Sequence, residues 1–434
     1  MDLLNLLHDP RIVAKFQNVC GVERLPDPDF DDECEIRDAN ATNTGTFDSK
    51  YVKHRHSQKY VLRENVKNNN NLKIAKNDLQ KEGVPPFTSD DSDSDSQFKG
   101  NNPYRITPHR ITNNFFYYVF KFASFFGDEA FYLTFLPFVL WNVDSSLVRP
   151  AVIVWSVSMY IGQVMKDILQ WPRPATQIVV RLDIDFAQEF SMPSTHAVAA
   201  SSIPLMLGHA VVNRYQVSTS LVVVLGLLWC FMTCGSRMYL GVHSLLDVIV
   251  GVLISLVVAA FVLPFTTQID WFIQTNPAFP VIIILMCMAF STVLYPAPEI
   301  GNNTRPDCVK VIATTTGCLL GIWGNYFNGM SQAVPVEGLY DIYIPSIKTV
   351  ACAILRFMIG VLTVALVKTV VQTVTVKFLS YIYGLEKADR HHPKIQVPYR
   401  FITYMALGII ISWTVPILHH KFGLGRPNYY LEVL

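Results

Sequence analysis

Two regimes of polarity divide the chain. Residues 1–110 are polar, and from Phe115 onward long apolar runs alternate with short loops that hold Pro, Gly and Asn. The runs lie at about 116–142, 149–169, 196–213, 218–236, 243–265, 278–296, 309–327, 348–378 and 401–419. Each approaches the roughly 20 mainly apolar residues that carry a helix across a bilayer. A chain in lipid must satisfy its backbone polar groups internally. The pattern therefore predicts an all-α, polytopic integral membrane protein with about nine transmembrane helices. Gly127-Asp128-Glu129 breaks the first run, which predicts a short half-helix followed by a span. The eighth run is over-long, and so tilted or continued beyond the bilayer. No internal repeat is evident.

Three divisions follow: a largely disordered polar tail over 1–110 with a short amphipathic start, a membrane core over 111–270, and additional transmembrane helices over 271–434. The tail holds an asparagine run at Asn68–Asn71 and the acidic serine tract SDDSDSDS at Ser89–Ser96. Such stretches bury too little apolar surface to offset their ordering entropy. They read as a solvated linker or a regulatory, phosphorylated segment. At the very start Leu3, Leu4, Leu6, Leu7, Ile12, Val13 and Phe16 recur at helical spacing. This patch lies on a membrane surface or docks on the body. It has no long apolar core or small-residue cleavage site and is not read as a signal peptide.

Composition narrows the class. The chain is 51% hydrophobic and 16% charged, against about 25% charged residues in a soluble globular protein. A simple cytosolic enzyme and a disordered scaffold are both excluded. The net charge of +1 gives no field for nucleic acid. The 8 cysteines show neither zinc spacing nor a disulfide framework. Cys230 and Cys234, one helical turn apart, read as small buried hydrophobes. The most basic loop, 377–400, belongs in the cytosol by the positive-inside rule. With nine spans it shares a side with the loops after spans two, four and six. A lumenal site would break that rule or require a count off by one. The sequons at Asn40 and Asn302 guide the topology only weakly.

Three polar clusters interrupt the membrane pattern. Lys166, Arg173 and Pro174 follow span two, Pro193-Ser194-Thr195-His196 opens span three, and Ser236-Arg237, His243 and Asp247 join spans four and five. Spans three and four go across and return, so all three clusters reach one membrane face. Lys166, Arg173 and Arg237 with hydroxyls suit a tetrahedral oxyanion such as phosphate. Ser194 and Thr195 open a helix, where free N–H groups cradle an anion. His243 and Asp247 are four apart and share a helix face, so the carboxylate can orient the imidazole for attack. His196 can protonate a leaving alkoxide. Each residue also has a plain structural reading: an interfacial Lys or Arg, a hydrogen-bonding His, an N-cap at Ser194 or Thr195. Asp247 resists it, because a carboxylate inside an apolar run needs a partner. Asp183, Asp185 and Glu189 read as a solvated loop or as recognition of a substrate amine.

In order and spacing the clusters resemble the three-part signature of the phosphatidic acid phosphatase type 2 and haloperoxidase superfamily. Thr195 departs from it, standing where glycine is usual. KDILQWPRP (166–174), SMPSTHA (191–197), DPRIVAKFQNVCGVE (9–23) and VPYRFITY (397–404) are similar to the sphingosine-1-phosphate phosphatases. The likeness spans nearly the whole chain apart from about 25–105. It does not separate the two paralogues, although FFYYVFKF (115–122) leans to the second. The resemblance implies a helical catalytic core at 111–270. It also implies metal-independent hydrolysis of a phosphorylated sphingoid base through a phosphohistidine, in sphingolipid metabolism and signalling. His243 would be nucleophile, His196 proton donor and Asp247 the residue orienting His243. Lys166, Arg173, Ser194, Thr195 and Arg237 would bind phosphate, with no metal and no cofactor. The implied partners are a lipid substrate and the endoplasmic reticulum membrane, and the oligomeric state is left open. Competing readings are a transporter or scramblase, a non-catalytic phospholipid-binding relative, and a phosphatase for sugar phosphates or glycerolipids.

Overall fold

Every apolar run is helical in a computed structural model, which describes residues 3–25, 108–176, 178–183, 189–296, 304–331, 339–342, 344–385 and 389–426. The acidic serine tract, the asparagine run, Asp185 and the sequon asparagines Asn40 and Asn302 lie outside the described residues. The described N-terminal stretch and the chain from 108 onward belong to one unit.

Two short helices, α1 (Leu3–His8) and α2 (Pro10–Val19), begin the chain. Asp9 caps α2 by accepting from the Arg11 N–H, and Pro10 sits at its first position, where no N–H is needed. Strand β1 (Val22–Arg24) pairs antiparallel with β2 (His109–Ile111). The polar tail over 1–110 thus gives up its first residues and its last to the folded body. The same three-residue pairing is the one small sheet in an otherwise helical fold, among the described residues.

The first apolar run splits as its Gly-Asp break predicts, into α3 (Asn114–Phe125) and α4 (Glu129–Asn142). Then come α5 (Ser145–Leu169), α6 (Thr195–Arg214), α7 (Thr219–Tyr239) and α8 (Leu245–Val262), and a 3-10 turn carries α8 into α9 (Thr266–Thr275). α10 (Phe279–Thr292), α11 (Thr304–Phe327), α12 (Ile347–Ile382) and α13 (Pro393–Ile409) complete the bundle, with a π turn leading from α13 into α14 (Val415–Lys421).

Among the described residues six helical stretches are long and apolar enough to cross a membrane: Ser145–Leu169, Thr195–Arg214, Thr219–Tyr239, Leu245–Thr275, Ile347–Ile382 and Pro393–Lys421. The expectation of about nine exceeds this for physical reasons. α4 and α10 have 14 residues each, about 21 Å of helix, against a hydrocarbon core of about 30 Å. α11 has the length but not the apolarity. It packs between α5 and α13 and buries Thr315, Thr316 and Asn325, so it does not have to match lipid. The 36 residues of α12 reach about 54 Å, which accounts for the over-long eighth run.

Helices α5 to α8 pack on one another. α7 turns Leu221, Val224, Leu227 and Phe231 outward, the apolar face expected toward lipid. Gly251 of α8 lets that helix close on α6: a Cβ there would fall 2.6 Å from the Ser194 carbonyl oxygen.

Candidate active site

The ends of α5, α6, α7 and α8 meet at one face of this core. Lys166 occupies the last turn of α5, and its Nζ donates to Glu189 Oε2 at 2.8 Å. Arg173 follows in the loop, where its Nε donates to the Glu189 carbonyl at 3.0 Å and its Nη1 to the Val242 carbonyl at 2.8 Å. That same Nη1 lies 3.5 Å from His243 Nε2. Arg237, in the last turn of α7, is fully buried and its Nη1 donates to Ser124 Oγ at 2.9 Å. Asp183 Oδ2 stands 3.9 Å from it.

Ser194 is the N-cap of α6, accepting from the Ala197 N–H, and its own N–H donates to the Asp247 carbonyl at 3.0 Å. Thr195 is the first helical residue and His196 the next. His196 Nε2 lies 2.9 Å from Asp128 Oδ1. At the start of α8, Ser244 and Asp247 form a capping box. The Ser244 N–H donates to Asp247 Oδ2 at 2.7 Å, and the Asp247 N–H returns a bond to Ser244 Oγ at 3.2 Å. Asp247 is thus held in an apolar helix by backbone as well as side chain.

His243 and Asp247 do not touch directly: Nδ1 and Oδ2 are 3.8 Å apart. Ser191 stands between them. Its hydroxyl donates to Asp247 Oδ2 at 2.6 Å and lies 3.4 Å from His243 Nδ1. A hydroxyl has one proton. With that proton on Asp247, Ser191 can only accept from the imidazole. Nδ1 therefore carries the ring hydrogen, and Nε2, beside Arg173, is left with its lone pair.

Electrostatics favour the same form. Burial first, then the positive charges of Arg173, Arg237 and Lys166, push His243 well below the ordinary histidine range, so its ring is neutral. Burial lowers Arg173 to about 10, opposed by Glu189, and it stays charged at neutral pH. Burial would raise Glu189, but Lys166 and Arg173 outweigh it and keep the carboxylate ionised. Among the described residues no three His, Cys, Asp or Glu side chains are grouped to hold a metal ion.

Several residues at this face escape the motif reading. Ser124, Asp128 and Ser191 reach the motif side chains, and the only signal for Asp128 was the polar break in the first run. The N-terminal helices dock here too, one of the two placements the sequence leaves open. His8 Nδ1 lies 3.3 Å from Ser244 Oγ, and Trp171 Nε1 donates to His8 Nε2 at 2.8 Å. Gln17 is buried: its Nε2 donates to the carbonyls of Val180 and Tyr239 at 2.6 and 2.8 Å, and its Oε1 accepts from the Val180 N–H at 3.1 Å. It ties the loop after Arg173 to the turn before His243.

Comparison with known proteins covers the same ground. Residues 148–271 match the PAP2 superfamily, a span that contains all three clusters. Sphingosine-1-phosphate phosphatase 2 of Mus musculus is 38% identical over 73% of this chain and 90% of its own length. The Homo sapiens protein of that name is 37% identical over 74% of this chain and 81% of its own. Sphingosine-1-phosphate phosphatase 1 of Mus musculus is 30% identical over 98% of both chains. No solved structure matches. Identity at this level over nearly the full length of such relatives carries more than a shared motif, and the chain belongs to the sphingosine-1-phosphate phosphatases of the PAP2 superfamily.

Proposed function

We propose that this protein hydrolyses phosphorylated sphingoid bases, sphingosine 1-phosphate among them, to the free base and inorganic phosphate, through a phosphohistidine at His243. One observation carries the reading: half-buried Arg173 stands 3.5 Å from the neutral Nε2 of His243, with buried Lys166 and Arg237 at the same face. This is a cationic cup around a nucleophile. The Nε2 lone pair attacks phosphorus, and the bond from phosphorus to the lipid oxygen breaks. His196 gives its proton to the departing alkoxide. Water then attacks the phosphohistidine, the P–N bond breaks, and His196 takes the proton back. Lys166, Arg173, Arg237, Ser194 and Thr195 hold the phosphoryl oxygens as charge spreads over them. Asp247 orients His243, here through Ser191. The cations supply the charge stabilisation, and the reaction proceeds without metal or cofactor. The lipid tail enters between helices, and α4, α10 and α11 join the six long helices to make about nine membrane-embedded segments. The setting proposed is the endoplasmic reticulum membrane, where such turnover regulates sphingolipid signalling.

The test is phosphate release by purified protein, with chelator present, from a sphingoid-base phosphate, phosphatidate and a hexose phosphate. The sphingoid-base phosphate should be turned over fastest. His196→Ala, Arg237→Ala and His243→Ala should each lower the rate by about 10⁴-fold or more, as loss of a residue acting within such a unit does. Near-normal turnover by His243→Ala would refute the phosphohistidine route.

A further inference from the structure

The second histidine of the site has a carboxylate of its own, supplied from outside the three clusters. We propose that Asp128 is a positioning residue that holds His196 through Nε2, so that Nδ1 is the nitrogen that gives and takes the catalytic proton. The inference rests on the phosphatase reading above.

Four observations of the α3–α4 corner carry it. His196 Nε2 and Asp128 Oδ1 are 2.9 Å apart. Asp128 occupies the N-cap of α4, yet its side chain makes no capping bond there. An N-cap aspartate ordinarily satisfies the first turn of its own helix; this one is committed to another helix instead. The residue before it, Gly127, is the one type that admits the imidazole, because a Cβ there would fall 2.4 Å from His196 Cδ2, the ring carbon next to Nε2. Ser124 lies on the same corner and receives Arg237 Nη1 at 2.9 Å. One turn of chain therefore sets both the proton donor and a phosphate-binding cation. The corner is braced in turn by the Tyr132 hydroxyl, which donates to the Phe126 carbonyl.

The chemistry follows from the ring's two nitrogens. A carboxylate on Nε2 keeps a hydrogen on that atom in both charge states of the ring. As the P–O bond breaks, the Nδ1 hydrogen passes to the alkoxide, and neutral His196 remains held by Nε2–H. In the second step the proton from the attacking water returns to Nδ1. The site thus has two carboxylate–histidine pairs of opposite sense. One keeps His243 ready to attack, and the other keeps His196 ready to protonate.

The test compares leaving groups. Purified wild type, Asp128→Asn and Asp128→Glu are assayed on a sphingoid-base phosphate and on an alkyl-substituted nitrophenyl phosphate, whose phenolate departs without a proton. Asp128→Asn should lower kcat on the lipid phosphate by about 10²–10⁴-fold, the contribution of a positioned general acid. KM should stay within about threefold, and the aryl phosphate should lose less than about threefold. Asp128→Glu should recover part of the lipid activity. Equal losses on the two substrates, no loss on the lipid, or a change in KM alone would overturn the role of Asp128. The wild-type rate and the loss in His243→Ala report on the phosphatase reading separately. If both stand while Asp128→Asn behaves as wild type, only this inference fails.

Discussion

Ser191 shows how a single hydroxyl decides which nitrogen of His243 keeps its lone pair. It bridges His243 and Asp247, which are 3.8 Å apart, and so stands in for a contact that the four-residue spacing suggested would be direct. Ser191→Ala should lower kcat/KM about tenfold, the worth of one hydrogen bond of about 1.4 kcal/mol, with phosphate release as the measure. The neutral His243 ring makes a second expectation. Its pKa is pushed down in the folded protein, so the proposed nucleophile is lost only when the pH falls through that lowered value. The acid limb of kcat/KM should therefore lie below pH 6.5, the ordinary histidine value, and a limb at or above it would contradict a buried neutral ring. The unfolded chain protonates this histidine first, so the same shift withdraws stability as the pH drops from about 6.5 toward the folded value. Residues such as Lys166, Arg173 and Asp247 were legible in the sequence because charge inside or beside a span needs a purpose. Ser191 and Asp128 were not, since a serine or aspartate in a loop has many uses and only the fold selects one.

Among elements, the N-terminal helices carry more of the site than their polar surroundings suggest. Helical spacing exposed their amphipathic face, but not the partner it would meet some 160 to 220 residues later in the chain. Gln17→Leu removes three buried hydrogen bonds and leaves backbone groups of Val180 and Tyr239 without them, a cost of about 2–3 kcal/mol. The variant should unfold several degrees lower and lose turnover, because the loops bearing Arg173 and His243 are no longer tied. Thermal unfolding in detergent beside a phosphate assay tests both effects. Gly251→Val should be harsher, since its Cβ meets the Ser194 carbonyl at 2.6 Å and drives α6 and α8 apart; the check is loss of folded yield together with activity. The apolar runs located the six long apolar helices but over-counted at α4 and α10, which are too short, and at α11, whose polar residues face other helices. Hydropathy measures fitness for lipid, and α11 meets little of it.

For the whole molecule, ion pairs show which loops share a face. Arg400 in the first half of α13 donates to Asp307 at 2.7 Å, Lys310 lies 2.9 Å from Asp307 and 3.5 Å from Glu129, and Glu129 adjoins the Asp128 that meets His196. The turn between α12 and α13, part of the basic 377–400 stretch, therefore lies on the side of the proposed site. Single cysteines at Gly384 and Gln170 should react with a membrane-impermeant thiol reagent from the same side of sealed vesicles, and opposite sidedness would break this arrangement. The pairing of Glu189 with Lys166, and the approach of Asp183 to Arg237, have a further consequence. Cations sealed together in an apolar body repel one another, and these carboxylates serve as resident counter-ions that let the chain fold before any ligand arrives. On the proposed reading, a phosphate group would then enter by exchange instead of filling a vacuum of charge. On that reading, the carboxylates would reclaim the cations as orthophosphate departs, so a cup that grips a dianion would also have the means to let it go.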